Sequence, residues 1–159
     1  DVAVIAGPAS RSALTSVPLA HARFAWCAGP GVARGLQRMD ADAVQSHPLV
    51  TLSQGSGVTH LLDDWLRQAD ARPARRLVCN HWGAIVGLLA QGSGIGLLPE
   101  GWAQALCERG VLHLLASPVP LGSLGYALHS RRDDLRPLVG MLHVMAAQHA
   151  DFTVGSGAF

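Results

Sequence analysis

Residues 49–66 read LVTLSQGSGVTHLLDDWL, and this stretch decides the fold. Leu49–Leu52 is a short apolar run of the kind that forms a buried strand. Ser53 and then Gln54-Gly55-Ser56-Gly57 end it at once. Beyond the glycines, Val58, Leu61, Leu62, Trp65 and Leu66 recur at helical spacing, with Asp63, Asp64 and Arg67 on the other side. Strand, glycine-rich turn and amphipathic helix, in that order, form the repeating unit of an α/β chain.

The same alternation continues toward the carboxyl end. Leu77–Cys79 reads as a strand and Trp82–Ala90 as an apolar helix ended by Gly92-Ser93-Gly94. Ile95–Leu98 is a strand closed by Pro99, and Trp102–Leu106 is a helix with Gly110 as its terminator. Val111–Leu115 and Leu124–His129 are strands, joined by a turn or crossover at Pro118–Pro120. Leu135–Ala147 is a helix, and Asp151–Phe159 is a tail that should fray. Toward the amino end, Val2–Ala6 reads as a central parallel strand and Phe24–Ala28 as another. Ala9–Leu19 is mixed, and Val32–Ala43 is a loop with room for one helical turn. The sum is six strands and four to five helices, arranged as an open parallel or mixed sheet with helices on both faces.

Composition excludes several classes. The chain has 159 residues, of which 49% are apolar and 14% charged, so it can bury one core and is not disordered. Net charge is +1 and every basic residue is arginine. No basic face for nucleic acid stands out, and the cluster Arg72, Arg75 and Arg76 reads as a solvated loop. Three cysteines without a CxxC give neither a disulfide framework nor a zinc site, and a reducing compartment, the cytoplasm, fits best. No apolar run is long enough to span a membrane, and the opening DVAVIAG lacks a signal peptide's basic start. The eight histidines form no HxH or HExxH, so no metal is expected. No GxSxG elbow is present, and Glu100 and Glu108 are the only glutamates, so no catalytic residue is assigned.

Two places suit a ligand. At Gln54–Gly57 a helix begins directly after a strand, and its unpaired N–H groups and dipole favour a carboxylate or other anion. Ser56 can cap that helix or donate to a ligand; a capped helix without ligand is the plain alternative. At Asn80-His81 a second helix follows a second strand, with Asn80 the natural cap and Trp82 an apolar wall. Gly92-Ser93-Gly94-Ile95-Gly96 has the order of a phosphate loop reversed, so turn geometry and close packing explain it. No cofactor is implied by any of these.

The ordered segments resemble the effector-binding, or regulatory, domain of LysR-type transcriptional regulators. Asp1-Val2-Ala3-Val4-Ile5 is similar to the family's D-x-A-I strand. Val17-Pro18-Leu19 followed by Phe24–Ala28 looks like the strand that enters the second lobe. His47-Pro48-Leu49-Val50 looks like the start of the next. Gly92-Ser93-Gly94-Ile95-Gly96-Leu97-Leu98-Pro99 is similar to G-x-G-I-A-x-L-P and is the most specific piece. Gly110-Val111-Leu112 resembles the G-x-L strand start. The resemblance spans residues 1–147.

That resemblance implies two Rossmann-like lobes of the type 2 periplasmic-binding-protein kind, joined by two crossovers, with a small effector between them. The first lobe would comprise residues 1–19 and the return segment 120–150, the second lobe residues 20–119, and 151–159 would be tail. Gln54, Ser56 and Gly57 would match the second-lobe helix start, Asn80 and His81 the next cleft-facing loop, and Ala6, Gly7 and Pro8 the first-lobe edge. The family's opening strand–helix–strand–helix stretch and its winged helix-turn-helix are not in this sequence. The first lobe is therefore expected to be incomplete, with an open sheet edge and apolar surface that a longer polypeptide or another chain would cover. The implied partners are a small-molecule effector, further copies in a homodimer or homotetramer, and DNA only through a domain absent here. A solute-binding protein of the same architecture and a small α/β enzyme remain alternatives; the missing signal peptide and the shortage of paired acids and bases speak against them.

Overall fold

In the computed structural model, residues 1–6, 12–36 and 38–152 are described. Seven strands form one mixed sheet. The strands are β1 (Val2–Ala6), β2 (Leu14–Ala28), β3 (Leu49–Leu52), β4 (Arg76–Cys79), β5 (Ile95–Pro99), β6 (His113–Leu115) and β7 (Ser123–Arg131). Their spatial order is β1-β7-β2-β5-β3-β4, with β6 also on β2. The helices are α1 (Pro30–Ala33), α2 (Ala41–Ser46), α3 (Gly57–Gln68), α4 (Trp82–Ala90), α5 (Glu100–Glu108) and α6 (Pro137–His149). The α/β class and the sheet covered on both faces agree with the sequence.

Only β3 pairs in parallel, with β4 and β5; the other pairings are antiparallel. Val2–Ala6 is thus not a central parallel strand. It is an antiparallel edge strand on β7, with Val4 51% and Ile5 53% exposed. Its apolar composition suggested burial, but only its last residue, Ala6, is partly buried. The second difference is β2. It begins ten residues before Phe24 and runs for 15 residues, pairing with β7 in its first half and with β5 and β6 in its second. Thr15, Ser16, His21 and Arg23 hide this strand from an apolar pattern. The register shifts between Pro18 and His21, where a proline without an N–H does least harm.

Alternation along β2 builds two cores. Phe24, Trp26 and Ala28 point to one face, where Val58, Leu61, Leu62, Trp65 and Leu66 of α3 cover them. Cys27 points to the other, with Val50, Leu98, Ile85 and Leu89 of α4, and Ala103 and Leu106 of α5. The glycines at 92–96 serve turn and packing. Gly92 closes α4 at φ +76°, while a Cβ on Gly94 would overlap the Pro48 carbonyl oxygen and one on Gly96 would lie 2.7 Å from that of Val50. Arg76 opens β4 and reaches Asp63 of α3 at 2.7 Å, so it belongs to no basic patch.

Trp26 and Trp65 meet edge to face, their ring centroids 4.9 Å apart. Their indole N–H groups differ. That of Trp65 donates to Ser117 Oγ at 3.0 Å and to the Val119 carbonyl at 3.1 Å, whereas that of Trp26 is buried with no partner among the described residues. Trp65→Phe should therefore destabilise the domain by about 1–3 kcal/mol more than Trp26→Phe, since both remove the same ring area but only one removes bonds. Urea denaturation of the two variants checks this; equal losses would contradict it.

Candidate functional site

The parallel register pairs Leu52 of β3 with Cys79 of β4. The residues that follow, Ser53 and Asn80, therefore leave the sheet side by side at its carboxyl end. From there α3 turns to one face and α4 to the other. Adjacent strands whose helices leave to opposite faces open a crevice at their carboxyl ends, where open α/β sheets bind ligands. The register sets the turn that carries Gln54, Ser56 and Gly57 and the turn that carries Asn80 and His81 at the same end of two paired strands.

The turn before α3 is tightly organised. Gly55 sits at φ +87°, where a side chain would be strained. Ser56 is the N-cap: its Oγ accepts the Thr59 N–H at 3.1 Å and lies 2.7 Å from Thr59 Oγ1. Thr59 Oγ1 in turn donates to the Ser53 carbonyl at 3.0 Å. With that proton committed, the short Ser56–Thr59 contact has Ser56 as donor. Ser56 therefore holds the turn, and the donors left for a ligand are the first backbone N–H groups of α3 and the Gln54 amide. Gln54 is exposed. Thr59 escaped the sequence reading, although Ser-x-x-Thr at 56–59 carried the signal.

At the second helix the cap is His81, not Asn80. His81 Nδ1 accepts the Ala84 N–H at 3.2 Å, which places the ring's proton on Nε2. The ring folds back over Gly83, where a Cβ would sit 3.3 Å from Nδ1. Asn80 is exposed and, like Gln54, makes no hydrogen bond among the described residues. Its amide is free to meet a ligand because the next residue has taken the capping role.

Gly57 faces the ends of two other strands. A Cβ there would come within 3.1 Å of both Ala6 Cβ and Leu124 Cδ1, so α3 begins flush against the ends of β1 and β7. Gly7, the expected first-lobe contact, lies outside the described residues. Trp82 lines the apolar side and stacks on Phe24 with centroids 6.3 Å apart.

A family model for the LysR substrate binding domain matches residues 1–150. The chain belongs to this family. The HTH-type transcriptional regulator CzcR of Bacillus cereus is 31% identical over 86 residues, 54% of this chain and 30% of the relative. Its counterpart in Bacillus anthracis is 30% identical over 86 residues. The matched segment thus spans under a third of these relatives. Solved structures with the same fold include the regulatory domain of MetR from N. meningitidis, with TM-score 0.70 and 16% identity over 93% of this chain and 71% of that one. The effector binding domain of QuiR in complex with shikimate gives 0.69 and 18% over 100% and 73%. Full-length HypT from Salmonella typhimurium gives 0.75 and 16% over 93% and 51%. These LysR-type effector domains share the open α/β sheet of the periplasmic-binding-protein kind.

Burial disfavours the thiolate at two of the three cysteines of this LysR domain. Burial, with a smaller contribution from Cys107, pushes the Cys27 thiol up to about 12 from 9.0. Burial also raises Cys107. Among the described residues no three His, Cys, Asp or Glu side chains gather as a metal site would require.

Two outcomes follow from this geometry. Ser56→Ala should lower unfolding free energy by about 1 kcal/mol by releasing the cap, read from urea denaturation; a change under a few tenths would place the cap elsewhere. Between pH 9.0 and 12 the unfolded Cys27 thiol ionises while the folded one keeps its proton. Folded stability should accordingly fall with rising pH in that window, and Cys27→Ala should flatten part of the slope. An unchanged slope in the variant would show that Cys27 is not the group responsible.

Proposed function

We propose that this chain is the small-molecule sensing domain of a DNA-binding transcriptional regulator, and that its effector is a small carboxylate or similar anion. The observation that carries this is the convergence of two helix starts, α3 and α4, at the carboxyl ends of paired strands β3 and β4. Their dipoles and free N–H groups favour negative charge. Gln54, Gly57, Asn80 and His81 are the contacts, with Ser56 holding the turn and Gly7 placed by sequence next to Ala6. Trp82 accepts an apolar part. A related effector domain, that of QuiR, is found in complex with shikimate, which fits a carboxylate in this crevice.

The lobes divide as residues 1–19 with 120–150 and residues 20–119, since β2 and β7 run between the two halves. The first lobe leaves β1 as an open edge and α6 with Leu138, Met141 and Met145 exposed. That surface supports contact with further chain, including another copy in a homodimer or homotetramer. DNA would be reached through a domain outside this sequence, in the cytoplasm, and the role is sensing rather than catalysis. Among the described residues no helix is long and apolar enough to cross a membrane.

Calorimetric titration with shikimate and a panel of small carboxylates tests the site. Gln54→Ala and Asn80→Ala remove exposed side chains that hold nothing in the fold. Each should weaken the best-bound carboxylate roughly threefold to tenfold, one hydrogen bond's worth. Unchanged affinity in both variants would reject this crevice.

A further inference from the structure

A second cavity is lined by none of Gln54, Ser56, Gly57, Asn80 and His81. It is a groove of about 750 Å³ between Arg23–Trp26 of β2 and the loop 116–122 that joins β6 to β7. That is the size of a small-molecule pocket. Its loop wall is fixed from two directions. The Met39 N–H donates to the Ala116 carbonyl at 2.7 Å, and the Trp65 indole holds Ser117 and Val119. Phe24, Leu115, Val119 and Leu121 supply an apolar lining on the α3 face of the sheet, and Ala25 and Leu114 one on the face that carries Arg23.

The charged lining consists of Arg23 and Glu100, one of each sign, with Arg23 Nε 2.7 Å from Glu100 Oε2. Both side chains keep solvent exposure, 70% and 37%, so the pair itself contributes little and can be reorganised cheaply. A guanidinium has five N–H donors and a carboxylate two oxygens, so this one contact leaves capacity on both. A lone anion would gain Arg23 but meet Glu100, and a lone cation the reverse. The ligand that satisfies both carries its opposite charges side by side, on one carbon.

We propose that this groove is a binding site for an apolar α-amino acid. The carboxylate lies at Arg23, the ammonium at Glu100, and the side chain against Ala25 and the exposed Leu114, which face the same side of β2 as Arg23. The groove shares no lining residue with the five assigned to the helix starts, so the proposal does not depend on that reading.

Calorimetry on the full chain tests this with L-leucine and L-phenylalanine as probes. Leucine's two half-analogues are 4-methylpentanoate, without the ammonium, and 3-methylbutylamine, without the carboxylate. At least one amino acid should bind with a dissociation constant of about 1 mM or tighter, and each leucine half-analogue should bind at least about tenfold more weakly than leucine. Arg23→Gln, at an exposed position, and Glu100→Gln, at a half-buried one in the first turn of α5, should each weaken amino-acid binding by about tenfold or more while the domain stays folded, as circular dichroism reports. No binding by either amino acid at about 10 mM would overturn the proposal. So would a half-analogue as tight as leucine, or full affinity in either variant.

Discussion

The parallel pairing of β3 with β4, in a register that sets Leu52 beside Cys79, is the constraint on which the rest depends. It fixes where two chains leave the sheet. Because α3 and α4 then take opposite faces, their amino ends start from one end of the sheet, where the proposed crevice lies. A slip of one residue would turn the apolar set of β4 to the wrong face and move Asn80 away from Ser53. The turn chemistry serves the same placement. Gly55 supplies a left-handed residue, Ser56 and Thr59 lock the helix start, and His81 caps the neighbouring helix.

Around that crevice the domain is built asymmetrically. The second half of β2 has cores on both faces, one dominated by the Trp26–Trp65 contact and one by aliphatic side chains with Cys27. The first half of β2, with β1 and β7, carries α6 but leaves β1 exposed. Gly57 against Ala6 and Leu124 is where the two halves touch beside the crevice. Any side chain there would press on that seam, which ties the geometry of the proposed anion site to the relative placement of the halves.

Much of this was legible in the sequence. The limits of β1, β3 and α4 follow directly from apolar runs bounded by glycine, proline or polar caps. The LysR resemblance rested on local patterns, above all Gly92–Pro99, whose Gly94 and Gly96 abut the Pro48 and Val50 carbonyls. Less legible were features set by tertiary context. The polar first half of β2 is a strand because β7 pairs with it, and no periodicity announces that. The edge position of β1 was hidden because five apolar residues usually mean burial on both faces. Asn80 is the better cap by type, yet His81 takes the role because its ring can fold over Gly83.

The central claim is that an anion sits at the paired starts of α3 and α4. Amide chemical shifts in a ¹⁵N-labelled chain, followed while the best-binding carboxylate is titrated in, report on those N–H groups directly. The account predicts the largest changes at Gly57, Val58, Trp82 and Gly83, saturating together with one affinity. Saturable changes centred elsewhere, with these four amides unmoved, would contradict it.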